Sequence, residues 1–245
     1  MISQARVIGV IPARFASTRF PGKPLEKLKG KPLLQWAVEG ARKSALLQKV
    51  IVATDDLRIK TLCDEIKVES VMTSADCATG SDRLFEAVKN MDVDIIINIQ
   101  GDEPLIDQTY IDPLVMAFLK QPGLDMATLA HLLSAEDVDN KNAVKVITNI
   151  NSEAIYFSRF AIPFSRLPFS ETNKASLKHI GLYGYTKKFL QKFCSTLPTD
   201  LEKSESLEQL RALYLGAKIK VIEVSKPTYG VDTPEDLRKL EALLK

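Results

Sequence analysis

The sequence predicts an α/β fold built on a mostly parallel central sheet with an antiparallel extension. Three observations carry this: short apolar runs that end where polar residues begin, helical stripes between those runs, and a change of pattern after about residue 120. Residues 7–11, 50–53 and 95–99 read as strands buried on both faces, and residues 68–72 as a further strand. Between the first two, Leu33, Leu34, Ala37, Val38 and Ala41 form one helical stripe, and Pro32 suits the start of a helix. Residues 57–66 are helix-like, and Leu84, Val88 and Met91 mark another stripe. Repeated strand, helix, strand units of this kind imply a parallel sheet covered on both faces. Ligands on such sheets bind beyond the carboxyl ends of the strands, so the segments after Ile11, Ala53, Met72 and Ile99 are candidate site loops.

Strand-like runs at 125–133, 144–148, 154–158 and 177–185 predict the antiparallel addition, interrupted by a polar loop at 163–176. Helical patterning returns at Leu207, Leu210 and Tyr214, followed by a strand at 219–224. A final helix is opened by Thr233 as cap, with Pro234, Glu235 and Asp236 in its first turn.

Composition narrows the function classes. The 245 residues carry 33 basic and 31 acidic side chains, for a net charge of +2, so no whole-molecule field favours nucleic acid or a membrane surface. There is no signal-like leader and no apolar span long enough to cross a bilayer, and a cytoplasmic protein is expected. Three cysteines without C-x-x-C spacing argue against a disulfide framework or a zinc knuckle, and two histidines cannot build an H-E-x-x-H site. The chain has no G-x-S-x-G and no G-x-G-x-x-G; Gly22-Lys23 and Gly30-Lys31 are each followed by proline, which excludes a Walker A loop.

Charge is uneven in one place. Residues 12–32 hold Arg14, Arg19, Lys23, Lys27, Lys29 and Lys31 against the single acid Glu26. At a strand's carboxyl end this segment can wrap a polyphosphate, with Ala16 and Ser17 small enough to let backbone N–H groups approach oxygens. The same composition also describes a solvated loop, and Lys27, Lys29 and Lys31 fit that reading. Asp102 follows a buried strand in Gln100-Gly101-Asp102 and suits either a hard divalent cation such as Mg²⁺ or a Gly-Pro turn. Asp232, before Thr233-Pro234, offers a second carboxylate or simple helix-start chemistry. Alternation over 177–185 puts His179, Gly181, Tyr183 and Tyr185 on one strand face, and Glu205, Glu208 and Gln209 have the spacing of one helix side. Each set suits a binding wall or a half-exposed surface.

Eight blocks, PARFASTRFPGKPL, VATDD, MTSADCATGSDR, NIQGDEP, YFSR, KHIGLYGY, LEQLR and GVDTPEDL, occur in one order along nearly the whole chain. Together they resemble the 3-deoxy-manno-octulosonate (Kdo) cytidylyltransferase, or CMP-Kdo synthetase, family. The resemblance implies a nucleotide-diphospho-sugar transferase (Rossmann-like) fold and a homodimer. It further implies transfer of CMP from CTP to the 3-deoxy sugar acid Kdo, with release of pyrophosphate and with Mg²⁺, for lipopolysaccharide biosynthesis. A single domain is expected, with residues 1–120 mainly for nucleotide, 121–218 mainly for sugar acid and dimerisation, and 219–245 returning to the main sheet.

By the same resemblance Lys23, Asp102 and Asp232 are catalytic, and the two aspartates are the metal carboxylates. Arg14, Ser17, Arg19, Lys23, Thr79, Ser81, Arg83 and Gln100 bind the nucleotide. Gln100, Arg159, His179, Tyr185, Glu208 and Gln209 line the sugar-acid pocket. The alternatives are the same chemistry on 8-amino-3,8-dideoxy-manno-octulosonate, or a non-catalytic sugar-nucleotide-binding protein.

Overall fold

The computed structural model describes residues 5–16, 20–166 and 175–244. Two compact units divide the chain: Met1–Val115 with Thr228–Lys245, and Met116–Pro227.

In the first unit the expected strands form as β1 (Val7–Ala13), β4 (Lys49–Thr54), β5 (Glu69–Met72) and β6 (Ile95–Asn98). They are all parallel, in the order β6-β1-β4-β5. Pro12 lies inside β1, opposite Ala53, where the strand nears its carboxyl end. The apolar runs of β1, β4 and β6 are largely buried, as expected for strands covered on both faces, whereas β5, at the end of the strand order, is half-exposed, with Met72 at the surface. The stripe Leu33, Leu34, Ala37, Val38 and Ala41 is the buried face of α1 (Leu33–Ala41), with Pro32 as its cap. Next come α2 (Leu57–Glu65), capped by Asp56, and α3 (Gly80–Val88), which opens with a reciprocal capping box between Thr79 and Asp82. Met91 falls beyond the end of α3. A short antiparallel pair, β2 (Lys27–Leu28) and β3 (Lys31–Pro32), follows the basic loop.

Of the helices with no counterpart in the sequence expectations, the longest comes next in the chain. It is α4 (Gln108–Lys120), which accommodates Pro113 in its interior and whose start is capped by the Asp107 carboxylate on the Thr109 N–H (2.9 Å). Proline inside a helical stripe is ordinarily a stop signal, and here it conceals the element. The C-terminal helix, α8 (Pro234–Leu243), starts with the expected Thr233–Asp236 capping box. Its Leu240 joins Val231, Phe20, Leu28 and Leu33 in a separate apolar cluster beneath the basic loop.

The second unit holds the antiparallel part. Strand β7 (Met126–Leu132) pairs antiparallel with β10 (Leu177–Thr186), β10 with β8 (Lys145–Thr148), and β8 with β9 (Ala154–Ser158). Strand β11 (Ile219–Glu223) pairs parallel with β7 and therefore belongs to this unit, while α8 belongs to the first. Helices α5 (Lys187–Cys194), α6 (Asp200–Glu205) and α7 (Gln209–Tyr214) complete it. No helix among the described residues is long and apolar enough to cross a membrane.

Gly40 shows how tightly the first unit packs. A Cβ there would overlap the carbonyl oxygen of Ile106, a main-chain atom that cannot swing aside. Gly40→Ala is expected to lower unfolding free energy by about 3 kcal/mol, measured by urea denaturation. An unchanged midpoint would contradict this packing.

Candidate functional site

The basic loop is folded by local forces that leave Lys23 pointing at acid. Phe15 and Gly22 close it through a Gly22 N–H to Phe15 carbonyl bond of 2.9 Å, and the Arg58 guanidinium stacks 3.3 Å from the Phe15 ring centroid. Gly22 takes a left-handed conformation (φ 72°), and an added Cβ would press on the Phe15 ring at 3.1 Å. Lys23 then begins a short 3₁₀ turn stiffened by the buried Pro24.

The Lys23 ammonium bonds Asp102 Oδ2 at 2.6 Å and Asp232 Oδ1 at 3.3 Å. Lys23 keeps 14% of its side-chain exposure, Asp102 30% and Asp232 50%, so the contact with Asp102 is the less screened of the two. The main chain joins the two acid segments as well: the Val231 N–H donates to the Asp102 carbonyl at 2.9 Å. Sequence spacing alone does not reveal this meeting of residues 23, 102 and 232.

These groups face a cleft of about 240 Å³, lined also by Arg14, Thr79, Gly80, Arg83, Gln100 and Gly101. Arg83 is nearly fully buried and held at both ends of its guanidinium, by Thr73 Oγ1 at 2.5 Å and by Asp55 Oδ2 at 2.7 Å. The start of α3 also faces the cleft, and the positive end of its dipole favours anions there. Ser81 is different: it is buried within α3 and does not line the cleft. Ser17 and Arg19 lie outside the described residues.

Glu103 is a neighbour the sequence reading passed over, although it sits inside the NIQGDEP block. Burial, with the Asp102 and Asp232 charges adding to it, pushes its carboxyl from 4.5 up to about 7, against a side-chain hydrogen bond with Thr228. Its Oε2 is buried without a hydrogen-bond partner among the described residues. Among the described residues no three or more His, Cys, Asp or Glu side chains converge as metal ligands. Two carboxylates do converge, and the acid-rich surroundings of one ammonium suit Mg²⁺, which completes its shell with phosphate oxygens and water.

The second unit holds a separate pocket of about 340 Å³. It is lined by the 142–144 segment, Lys178, His179, Gly181 and Tyr183 of β10, and residues 206–209. His179, Tyr183, Glu208 and Gln209 therefore meet there. Tyr185 shares their strand face but is buried against Phe193, at 6.3 Å between ring centroids, and supports the wall from behind.

Glu205 does not share a helix side with Glu208 and Gln209, because Ser206 turns left-handed (φ 52°) and ends α6 before α7 begins. The Glu205 carboxylate instead accepts from the Ser158 hydroxyl at 2.7 Å and the Arg159 N–H at 2.9 Å. The Arg159 guanidinium is committed to the main-chain carbonyls of Glu205, Lys141 and Ser206, so it braces the pocket's rim. Buried Lys145 does the same for the 140–143 turn, donating to the carbonyls of Asn140 and Ala143. Behind Gln209, Arg211 forms a buried two-pronged pair with Glu202 at 2.8 and 2.5 Å.

The matching family model is described as cytidylyltransferase and spans residues 8–219. The chain belongs to the cytidylyltransferase family. This cytidylyltransferase is 56% identical over 241 residues to the 3-deoxy-manno-octulosonate cytidylyltransferase of Bdellovibrio bacteriovorus, covering 98% of each chain. It is 45% identical over 243 residues to the 8-amino-3,8-dideoxy-manno-octulosonate cytidylyltransferase of Shewanella putrefaciens, covering 97% of this chain and 98% of the relative. A solved CMP:2-keto-3-deoxy-manno-octonic acid synthetase complexed with CTP superposes with a TM-score of 0.93 at 39% identity, covering 98% of both chains. The fold that the sequence predicts, a mostly parallel sheet with an antiparallel extension, is the fold found.

His179 provides a test of the pocket's dryness. Burial pushes its imidazole from 6.5 down to about 3. Between those values the unfolded chain takes up a proton that the folded chain refuses, so stability is intact above about 6.5 and falls as pH drops toward 3. In urea unfolding at stepped pH, His179→Gln is expected to flatten that loss; an unchanged pH slope would contradict a buried neutral ring.

Proposed function

We propose that the protein transfers CMP from CTP to 3-deoxy-D-manno-octulosonate, giving CMP-Kdo and pyrophosphate, as a cytoplasmic homodimer that uses Mg²⁺ and feeds lipopolysaccharide biosynthesis. The observation that carries this reading is the Lys23 ammonium held between Asp102 and Asp232 on a cleft that also presents Arg14, Arg83 and a helix start. Such a cleft has the charge and shape for a triphosphate. The relatives' names supply the sugar acid. For the dimer, the support is apolar surface on the second unit, where Ile150, Ile155, Phe160 and Phe164 are exposed.

In this reading the anomeric hydroxyl attacks the α-phosphorus in line. One P–O bond forms to the sugar as the hydroxyl gives up its proton to solvent, the bond to the β-phosphate oxygen breaks, and pyrophosphate leaves with no nucleotidylated protein between. Lys23, released from its aspartates toward the phosphate, offsets charge that grows on the transferring group, while Arg14 and Arg83 hold the remaining phosphate oxygens. Ser17 and Arg19 are assigned contacts with the triphosphate in the same reading, and Thr79 and Ser81 set the start of α3 beside the nucleotide. Asp102 and Asp232 are the residues that would hold Mg²⁺, which when bound lowers the pKa of a coordinated hydroxyl and screens phosphate charge. Gln100 is assigned to both substrates in this reading. His179, Glu208 and Gln209 receive the hydroxyls of the sugar acid, backed by Tyr185 and braced by Arg159.

With CTP and Mg²⁺, pyrophosphate release is expected only when the sugar acid is added. A panel of Kdo and its 8-amino analogue decides the substrate. CTP binding without release on either would point to a non-catalytic binder and overturn the proposal. Asp102→Asn is expected to lower turnover roughly 100-fold or more while changing CTP affinity by less than about tenfold, measured by single-turnover kinetics and calorimetry. Undiminished turnover would reject the role given to Asp102.

A further inference from the structure

Strand β10 is irregular where it lines the second-unit pocket. Its pairing with β7 steps from Ile180 opposite Leu129 directly to Tyr183 opposite Thr128, so Gly181 and Leu182 bulge out of register. The side chain that fills the bulge is Thr128, fully buried. Its Oγ1 lies 3.1 Å from the Ile180 carbonyl, 2.9 Å from the Leu182 carbonyl and 3.0 Å from His179 Nε2.

A threonine hydroxyl has one proton to give and lone pairs to receive with. Two carbonyl oxygens, which only accept, compete for that proton. The oxygen's lone pairs are thus left for His179, and the contact is made when Nε2 carries the ring proton. An unprotonated Nε2 would take the hydroxyl proton for itself and leave both bulge carbonyls without this donor. The opposite nitrogen, Nδ1, has no hydrogen bond to any described residue, and the ring borders the pocket. Phe157 edge-on at 5.0 Å and Tyr183 at 5.4 Å fix the ring plane.

We propose that Thr128 is a positioning residue: it locks His179 as the Nε2–H tautomer, so that Nδ1 is offered to the pocket as an acceptor for a hydroxyl of the sugar acid. The sugar-acid part rests on the proposed function; the tautomer does not. One buried hydroxyl thereby performs two tasks, closing the bulge that shapes the wall and setting the polarity of the wall's one imidazole. That imidazole stays neutral across the physiological range because burial disfavours its charged form.

The test uses the full-length protein with ¹⁵N-labelled histidine. The chain has two histidines, His131 and His179, and His131→Gln assigns the signals. Without substrate, His179 is expected to show a protonated, pyrrole-type Nε2 and an unprotonated, pyridine-type Nδ1. Thr128→Val should mix or reverse these and raise KM for the sugar acid about tenfold, with kcat less affected and KM for CTP unchanged. Thr128→Ser, which keeps the hydroxyl, should restore both. A wild-type ring protonated on Nδ1 would overturn the assignment, even if the valine variant failed to fold. An unaltered tautomer in Thr128→Val would also overturn it, whether or not KM rose. Lack of turnover with any sugar acid would count instead against the proposed function, because the nitrogen signals are read without substrate.

Discussion

The first unit depends on one junction, where the carbonyl of Asp102 accepts from the Val231 N–H and the carboxylate of Asp102 accepts from Lys23. Three segments from the start, middle and end of the chain are joined there. Hydrophobic burial stabilises the junction from below, through the cluster of Phe20, Leu28, Leu33, Val231 and Leu240. The capping box of α8 stabilises it from the side, since Asp236 also accepts the Asp232 N–H at 3.1 Å. Each carboxylate is therefore fixed by its own backbone as well as by the ammonium between them. Acids held close in this way repel one another, and the repulsion is visible at Glu103, whose carboxyl is pushed up to about 7 by burial and by both aspartates. A cation offsets that charge: lysine in the protein alone, and in the proposed reaction Asp102 and Asp232 would hold a metal ion in its place.

The second unit relies more on main-chain carbonyls to hold its cations, while carboxylates pair with Lys178 and Arg211. Arg159 and Lys145 give their protons to carbonyl oxygens around the pocket rim, and Arg211 is neutralised by Glu202 and stacked 4.4 Å from the Phe193 ring. This arrangement keeps the rim stiff without placing unpaired charge in the wall. The wall includes His179, Tyr183, Glu208 and Gln209, side chains able to sort hydroxyl donors from acceptors, with Lys178 beside them. Such a surface suits a polyhydroxylated ligand better than an apolar one.

Much of this was legible in the sequence because local pattern and tertiary fold agree. The stripe of α1, the apolar runs of β1, β4 and β6, and the Thr233 cap of α8 are decided by neighbours a few residues away. α4 was hidden because Pro113 reads as a stop, yet the helix continues past it because Ile111, Leu114, Val115 and Phe118 bury one face. The α6–α7 break was hidden because Glu205, Glu208 and Gln209 keep helical spacing across it, and only the left-handed Ser206 shows that the helix ends. Lys23, Asp102 and Asp232 were each visible as charges after strands or before a helix, but their meeting is a tertiary fact. Thr128 gave no signal at all, since a threonine in a strand is ordinary and its role arises from a bulge in the partner strand.

The account stands most directly on the fate of the α-phosphate. In a rapid-quench reaction with CTP labelled at the α-phosphorus, Mg²⁺ and the sugar acid, all label that leaves CTP is predicted to pass straight into the sugar phosphodiester, with none on the protein. Label trapped on the protein, or recovered only as free CMP, would contradict a single direct displacement in the Lys23, Asp102 and Asp232 cleft.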